Sequence, residues 1–332
     1  MGWYETRLSA SLAKAADLAS VNSVFRVESV PDYELHGERG AQTAAGNLNA
    51  GGTAPTGPGY TTWLASKGLS GGNGIIVQVQ DDGLDRGIAT NQPGTAHADI
   101  LGRIAGIFNA TGDSLGDSRA GHGMINAGII MGNAAIGTTD AAGFKLGQGL
   151  APQASVYATK IFSNDGPFDI GNNTFTDLAR NAQDTGATFS SNSWGASVDG
   201  EYNSDSAEFD ALARDSDPIE AGNQPMVYFF SAGNDGPSNG TVGSPGTAKN
   251  VIAIGAGENS DADGTDGNGC NVTPSSSNNN RDIVDFSSRG PTMDGRFGVT
   301  LIAGGTHVQG PASTGADYDG ICVCDKYWPV GQ

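Results

Sequence analysis

Positive charge and cysteine are both scarce in this sequence, and long apolar runs are missing. Only 17 Lys and Arg stand against 36 Asp and Glu, a formal net charge of −19 over 332 residues. Following a phosphate backbone takes clustered cations that displace counterions, so no nucleic-acid partner is expected. No run of about 18 apolar residues occurs, which excludes a transmembrane helix and a membrane partner of that kind. The opening stretch Met1-Gly2-Trp3-Tyr4-Glu5-Thr6 lacks the basic and apolar regions of a signal peptide. The three cysteines, Cys270, Cys322 and Cys324, have no neighbouring histidine, so a structural zinc site is not expected. In an oxidising compartment they allow one disulfide and one spare thiol. Cys322 and Cys324 stand too close along the chain to pair without strain. Cys270 is therefore expected to bridge one of them, Cys324 or Cys322.

What is present is a chain that is 37% hydrophobic, with 52 glycines. That is about twice the average glycine usage, and it comes without a collagen-like period. Clusters of Gly, Asn, Ser and Asp point to a loop-rich α/β protein with sharp turns between elements. Residues 6–19 place Leu8, Leu12, Ala15 and Ala16 at helical spacing, and Val24-Phe25-Arg26-Val27-Glu28 alternates like a strand. The stretch 40–59, made of Gly, Ala, Asn, Thr and Pro, reads as an extended connector. Beyond Gly74 apolar runs of strand length occur at 75–79, 156–162, 226–230 and 251–254, with a less apolar one at 187–193. Helical stretches lie between them at 125–131, 175–184 and 207–214. Apolar strands alternating with helices predict a parallel sheet covered on both faces. In such sheets active groups gather at the carboxyl ends of the strands.

Three strand ends or helix starts carry polar residues. Gln78-Val79-Gln80-Asp81-Asp82-Gly83 delivers carboxylates at a turn, and Gly121-His122-Gly123 opens a helix with an exposed imidazole. Phe229-Phe230-Ser231-Ala232-Gly233-Asn234 ends an apolar strand on small residues and a carboxamide. Alone, the Asp and Asn stretches are ordinary turn chemistry, and a lone histidine is most often a structural or surface residue. In the order Asp, His, Asn, however, they resemble the subtilisin-like serine proteases, the subtilase family. Further segments in the right order strengthen the resemblance. They are Gly149-Leu150-Ala151-Pro152 with Ala158-Thr159-Lys160-Ile161-Phe162, Ser193-Trp194-Gly195, Ser244-Pro245-Gly246-Thr247-Ala248, and Phe286-Ser287-Ser288-Arg289-Gly290-Pro291.

The resemblance implies a three-layer subtilisin-like α/β fold with a mostly parallel central sheet flanked by helices. It implies serine endopeptidase chemistry on a polypeptide substrate, with no cofactor needed for the reaction. Asp81 would support the His122 imidazolium, His122 would act as general base and then acid, and Asn234 would donate to the oxyanion. Ser193, Trp194 and Gly195 would pair with extended substrate, and Ser231, Ala232 and Gly233 would form part of the primary pocket. Residues 1–36 are expected to be a propeptide remnant or an N-terminal extension, 37–73 a connector, and 74–332 the peptidase domain. The family is commonly secreted, so an extracellular location is expected.

The family's Gly-Thr-Ser-x-Ala motif, which carries the nucleophile, does not occur in these residues. It is expected just beyond Gln332, in a longer polypeptide or a C-terminal companion fragment. Met124-Ile125-Asn126 replaces the family's Thr-His-Val after the histidine, and a buried Asn126 needs partners. A non-catalytic, peptide-binding or structural relative is therefore the alternative reading. Asp261-Ala262-Asp263-Gly264-Thr265-Asp266-Gly267-Asn268 is oxygen-rich but lacks the closing Glu of an EF-hand, so a solvated acidic loop is the favoured reading. The resemblance nevertheless implies that a structural calcium ion is compatible with the protein.

Overall fold

The computed structural model describes residues 37–140, 142–259, 279–306, 308 and 310–320. Side chains alternate across a strand, so a strand buried on both faces shows which core each face meets. In β3 (Ser155–Lys160) Val156 and Ala158 enter one apolar cluster, and Tyr157 between them enters another. The sheet therefore has a core on each side, the arrangement that apolar strands interleaved with helices predict.

Seven strands make up this sheet: β1 Ile76–Asp81, β2 Ile104–Asn109, β3, β4 Ala187–Asn192, β5 Val227–Ser231, β6 Ile252–Gly257 and β7 Leu301–Gly304. Their order is β2-β3-β1-β4-β5-β6-β7, and every pairing is parallel. The described helices are α1 Gly37–Ala45, α2 Tyr60–Ser66, α3 His122–Met131, α4 Phe175–Gln183 and α5 Ser204–Leu212. Met124, Ala127 and Met131 of α3 pack on Val79, Val156 and Ala158. Phe175 and Leu178 of α4, with Phe209 and Leu212 of α5, pack on Tyr157, Tyr228 and Phe230 across the sheet. This is the expected α/β, three-layer architecture. Among the described residues no helix is long and apolar enough to cross a membrane.

The expected strands and helices form, with shifted ends. The first strand runs on to Asp81, which makes the carboxylate its last residue, and the helix expected at 125–131 begins at His122. The stretch 40–59 is not simply extended, because its first residues belong to α1. Glu38 of that helix is buried, and its carboxylate accepts from the backbone N–H groups of Gly59, Tyr60 and Lys145 at 2.6, 2.6 and 2.8 Å. Arg39 pairs with Asp140 at 2.8 Å and lies 3.9 Å over the Phe144 ring. These charge-assisted contacts override the weak helix propensity of a Gly-rich segment. The expected helix at 6–19 and strand at 24–28 lie outside the described residues, as do Cys270, Cys322, Cys324 and the acidic loop 261–268.

One aromatic cluster underlies the carboxyl ends of β4 and β5. The Phe209 ring sits 4.8 Å from Phe230, 5.0 Å from Phe175, 5.2 Å from Tyr228 and 6.1 Å from Trp194. Truncating so central a ring removes contact area and leaves a void. Phe209→Ala is expected to lower unfolding free energy by about 3–5 kcal/mol, read by urea denaturation, and a loss under about 1 kcal/mol would contradict this packing.

Candidate active site

The face rule that splits the cores also aims the first functional side chain. Val79 points toward α3, so Asp81, two residues on, points the same way. It meets His122, the first residue of α3, with Nδ1 2.7 Å from Asp81 Oδ1. An ionised carboxylate only accepts, so Nδ1 carries the proton and Nε2 keeps its lone pair. Asp81 is 3% exposed at its side chain, whereas the imidazole is 45% exposed. The buried partner thus holds the ring and the ring faces the cleft.

Such an approach of helix to strand end requires glycine. A Cβ on Gly123 would strike the Gly83 carbonyl, and one on Gly83, at φ +119°, would strike the Asp117 carbonyl. Gly121 at the cap position has no side chain to cap α3, and Asp82 does that work from across the turn. Its carboxylate accepts from Gly123 N–H at 2.6 Å, Gly121 N–H at 3.1 Å and Ser118 Oγ at 2.6 Å. Burial raises the Asp82 pKa, the Asp81 charge adds to this, and together they outweigh the hydrogen bonds that lower it. For His122, burial disfavours the charged ring. The hydrogen bond and charge of Asp81, with the charge of Asp82, overcome this and hold its pKa above the ordinary 6.5.

Asn126, one helical turn beyond His122, is satisfied. Its Nδ2 donates to Asp81 Oδ2 at 3.0 Å, and its Oδ1 accepts from Ser193 Oγ at 3.2 Å. The unfamiliar residue after the histidine is therefore built into the site.

Opposite these groups, β5 ends at Ser231 and turns through Gly233 at φ +110° to Asn234. The segment 286–288 secures this turn. Ser288 N–H donates to Gly233 O at 2.9 Å, Asp235 N–H donates to Ser288 Oγ at 3.0 Å, and Gly236 N–H donates to Phe286 O at 2.9 Å. The Asn234 side chain is exposed and makes no hydrogen bond among the described residues, which leaves a free amide donor. After β4, Ala196 exchanges two backbone hydrogen bonds with Ser244, 2.8 and 3.0 Å, which anchors one side of that segment. Trp194 stacks on Phe175 at 5.5 Å.

Asp81, His122, Ser193, Trp194, Gly195, Ser231, Gly233 and Asn234 line one cleft of about 570 Å³. Ala232 does not reach it, being buried beneath the turn at 1% exposure. Asp82 and Asn126 support the site without having been singled out for it in the sequence. The doubled Asp81-Asp82 before a glycine was the available signal for the first. Among the described residues no group of three or more His, Cys, Asp or Glu is arranged to hold a metal. No serine or threonine hydroxyl among them hydrogen-bonds the His122 ring.

The model of the Peptidase S8 subtilase family matches residues 72–327. The chain is similar to serine protease AprX of Bacillus subtilis (strain 168), 27% identical over 259 residues, covering 71% of this chain and 47% of that protein. It is 25% identical over 239 residues to a subtilisin of Bacillus sp. (strain TA39), covering 69% and 47%. The chain thus spans about half the length of these curated relatives. Among solved structures, sphericase aligns with a TM-score of 0.48 at 24% identity, covering 76% of this chain and 74% of that one.

A proton-linked consequence follows for His122. A group whose folded pKa is raised contributes stability that is complete below its unfolded pKa and is lost as pH rises through the folded one. NMR titration of His122 is expected to give a pKa above 6.5, and Asp81→Asn is expected to lower it. A value at or below 6.5 in the unmodified chain would contradict the pairing.

Proposed function

The chain belongs to the subtilase family, and on that premise we propose that it carries the general base and oxyanion donor of a serine endopeptidase whose nucleophile lies outside residues 1–332. The observation that carries this reading is the Asp81–His122 pair at 2.7 Å, lining the same cleft as the unpartnered Asn234 amide.

An extended peptide pairs along residues 193–195 as an added strand, with its scissile carbonyl between His122 and Asn234. The serine Oγ attacks the carbonyl carbon while its proton passes to His122 Nε2. The carbonyl π pair moves onto oxygen, and Asn234 Nδ2–H donates to that oxyanion. Asp81 balances the imidazolium. When the C–N bond breaks, His122 returns its proton to the leaving amine and an acyl ester remains. Water repeats the sequence with the same base, releasing the carboxyl product and restoring the serine.

The alternative, a non-catalytic peptide binder, has no use for an amide held free beside a paired imidazole. Asn234→Ala separates the two readings. In a preparation that contains the serine segment, the variant is expected to lose about 10²–10³ in turnover with little change in peptide affinity. Turnover of the unmodified enzyme is expected to rise with pH through the His122 pKa, above 6.5, because only the neutral imidazole accepts the proton. Unchanged turnover in Asn234→Ala would overturn the catalytic reading.

A further inference from the structure

A carboxylate held at one oxygen can still turn about its Cβ–Cγ bond, and turning takes the other oxygen away from its partner. In Asp81 both oxygens are held. Oδ1 accepts from His122 Nδ1 at 2.7 Å and from Asp82 N–H at 2.8 Å, and Oδ2 accepts from Asn126 Nδ2 at 3.0 Å. The Asn126 amide is itself oriented. Its Oδ1 accepts from Ser193 Oγ at 3.2 Å, so a flipped amide would lose that bond and set oxygen against the carboxylate. Its Nδ2 also lies 3.3 Å from His122 Nδ1. Two donors side by side cannot bond each other, so the amide does not draw the Nδ1 proton away from Asp81.

The helix repeat explains why position 126 does this. It stands four residues after His122 and therefore on the same face of α3, under the ring. We infer that Asn126 is a positioning residue: it locks the Asp81 carboxylate in the rotation that aims Oδ1 at His122, and it joins that pair to Ser193 at the start of the substrate strand. The inference deepens the proposed function and rests on it for its catalytic meaning. Its hydrogen bonds run Ser193 to Asn126 to Asp81, with His122 donating from the other side. The segment that receives the peptide is thereby connected to the group that orients the base, with no titratable residue between them.

The test reads the imidazole directly in the 332-residue chain and needs no nucleophile. Nitrogen-15 NMR of neutral His122 is expected to show the Nδ1–H tautomer in excess, with a slowly exchanging low-field proton. Asn126→Val keeps a helix-compatible apolar side chain and removes both hydrogen bonds. It is expected to reduce the Nδ1–H to Nε2–H ratio on the order of tenfold and to speed exchange of that proton, the effect of losing one hydrogen bond to a charged group. Ser193→Ala removes only the anchor of the amide. It is expected to move the same ratio in the same direction by less, and to have no further effect in the Asn126→Val background. An unchanged ratio and exchange rate in folded Asn126→Val would overturn the inference. So would a Ser193→Ala effect of equal size in both backgrounds. If Asn126→Val does not fold, Ser193→Ala alone decides: a lowered ratio supports the role and an unmoved one refutes it. Loss of serine-directed chemistry would sink the proposed function without touching this result, and an unmoved tautomer would sink only the role of Asn126.

Discussion

The Asp81–His122 hydrogen bond is the contact around which the rest of this structure is arranged. It joins the last residue of β1 to the first residue of α3, and it forms only if a helix start can approach a strand end at backbone distance. Gly123 permits that approach, Gly83 clears the Asp117 carbonyl, Gly121 takes the left-handed cap conformation at φ +87°, and Asp82 satisfies the helix start that the glycines leave uncapped. The pair is then electrostatically asymmetric. A buried acceptor faces an exposed ring, so the proton on Nδ1 is fixed while Nε2 remains available. The same charges that hold the ring raise its pKa, which ties the strength of the base to the geometry that positions it.

The other half of the site depends on segments far away along the chain. The Asn234 turn is held by residues 286–288, and the segment after β4 is held by Ser244. The family-like motifs at 244–248 and 286–291 supply these backbone contacts. They hold the backbone on which Asn234 and residues 194–196 sit. The aromatic cluster of Phe175, Trp194, Phe209 and Phe230 fills the space beneath, so the cleft wall rests on a packed layer. On the other side, residues 310–318 run along α3. Pro311 lies against Gly128 and the Tyr318 ring covers Gly121, so the chain returns to the neighbourhood of the base.

The sheet was legible because most of its strands are short apolar runs between turn residues, and the residues that end them could be named before their geometry was known. What escaped the sequence did so for physical reasons. The β7 strand is exposed along its length and β2 is only partly buried, so neither carries a strong burial pattern. The β1 strand hides Gln78 and Gln80 in the core, where Gln78 is satisfied by Thr159 Oγ1 and Leu178 O, partners on other elements. The α1 helix looks like a linker because its order comes from Glu38 and Arg39 reaching across to other segments. Asn126 reads as a break in a familiar pattern because its partners lie 45 and 67 residues away. Patterns of burial can be read along a chain, but pairings between polar groups on different elements appear only once the chain is folded.

The central proposal is that these residues supply the base and the oxyanion donor while the nucleophile comes from elsewhere. Labelling with a fluorophosphonate, followed by mapping of the modified residue, tests it most directly. The account predicts no adduct on the 332-residue chain. It predicts one adduct on a polypeptide or complex that also carries a Gly-Thr-Ser segment, at the serine of that segment and dependent on His122. An adduct on a serine within residues 1–332, or none on a polypeptide or complex that carries the Gly-Thr-Ser segment, would contradict it.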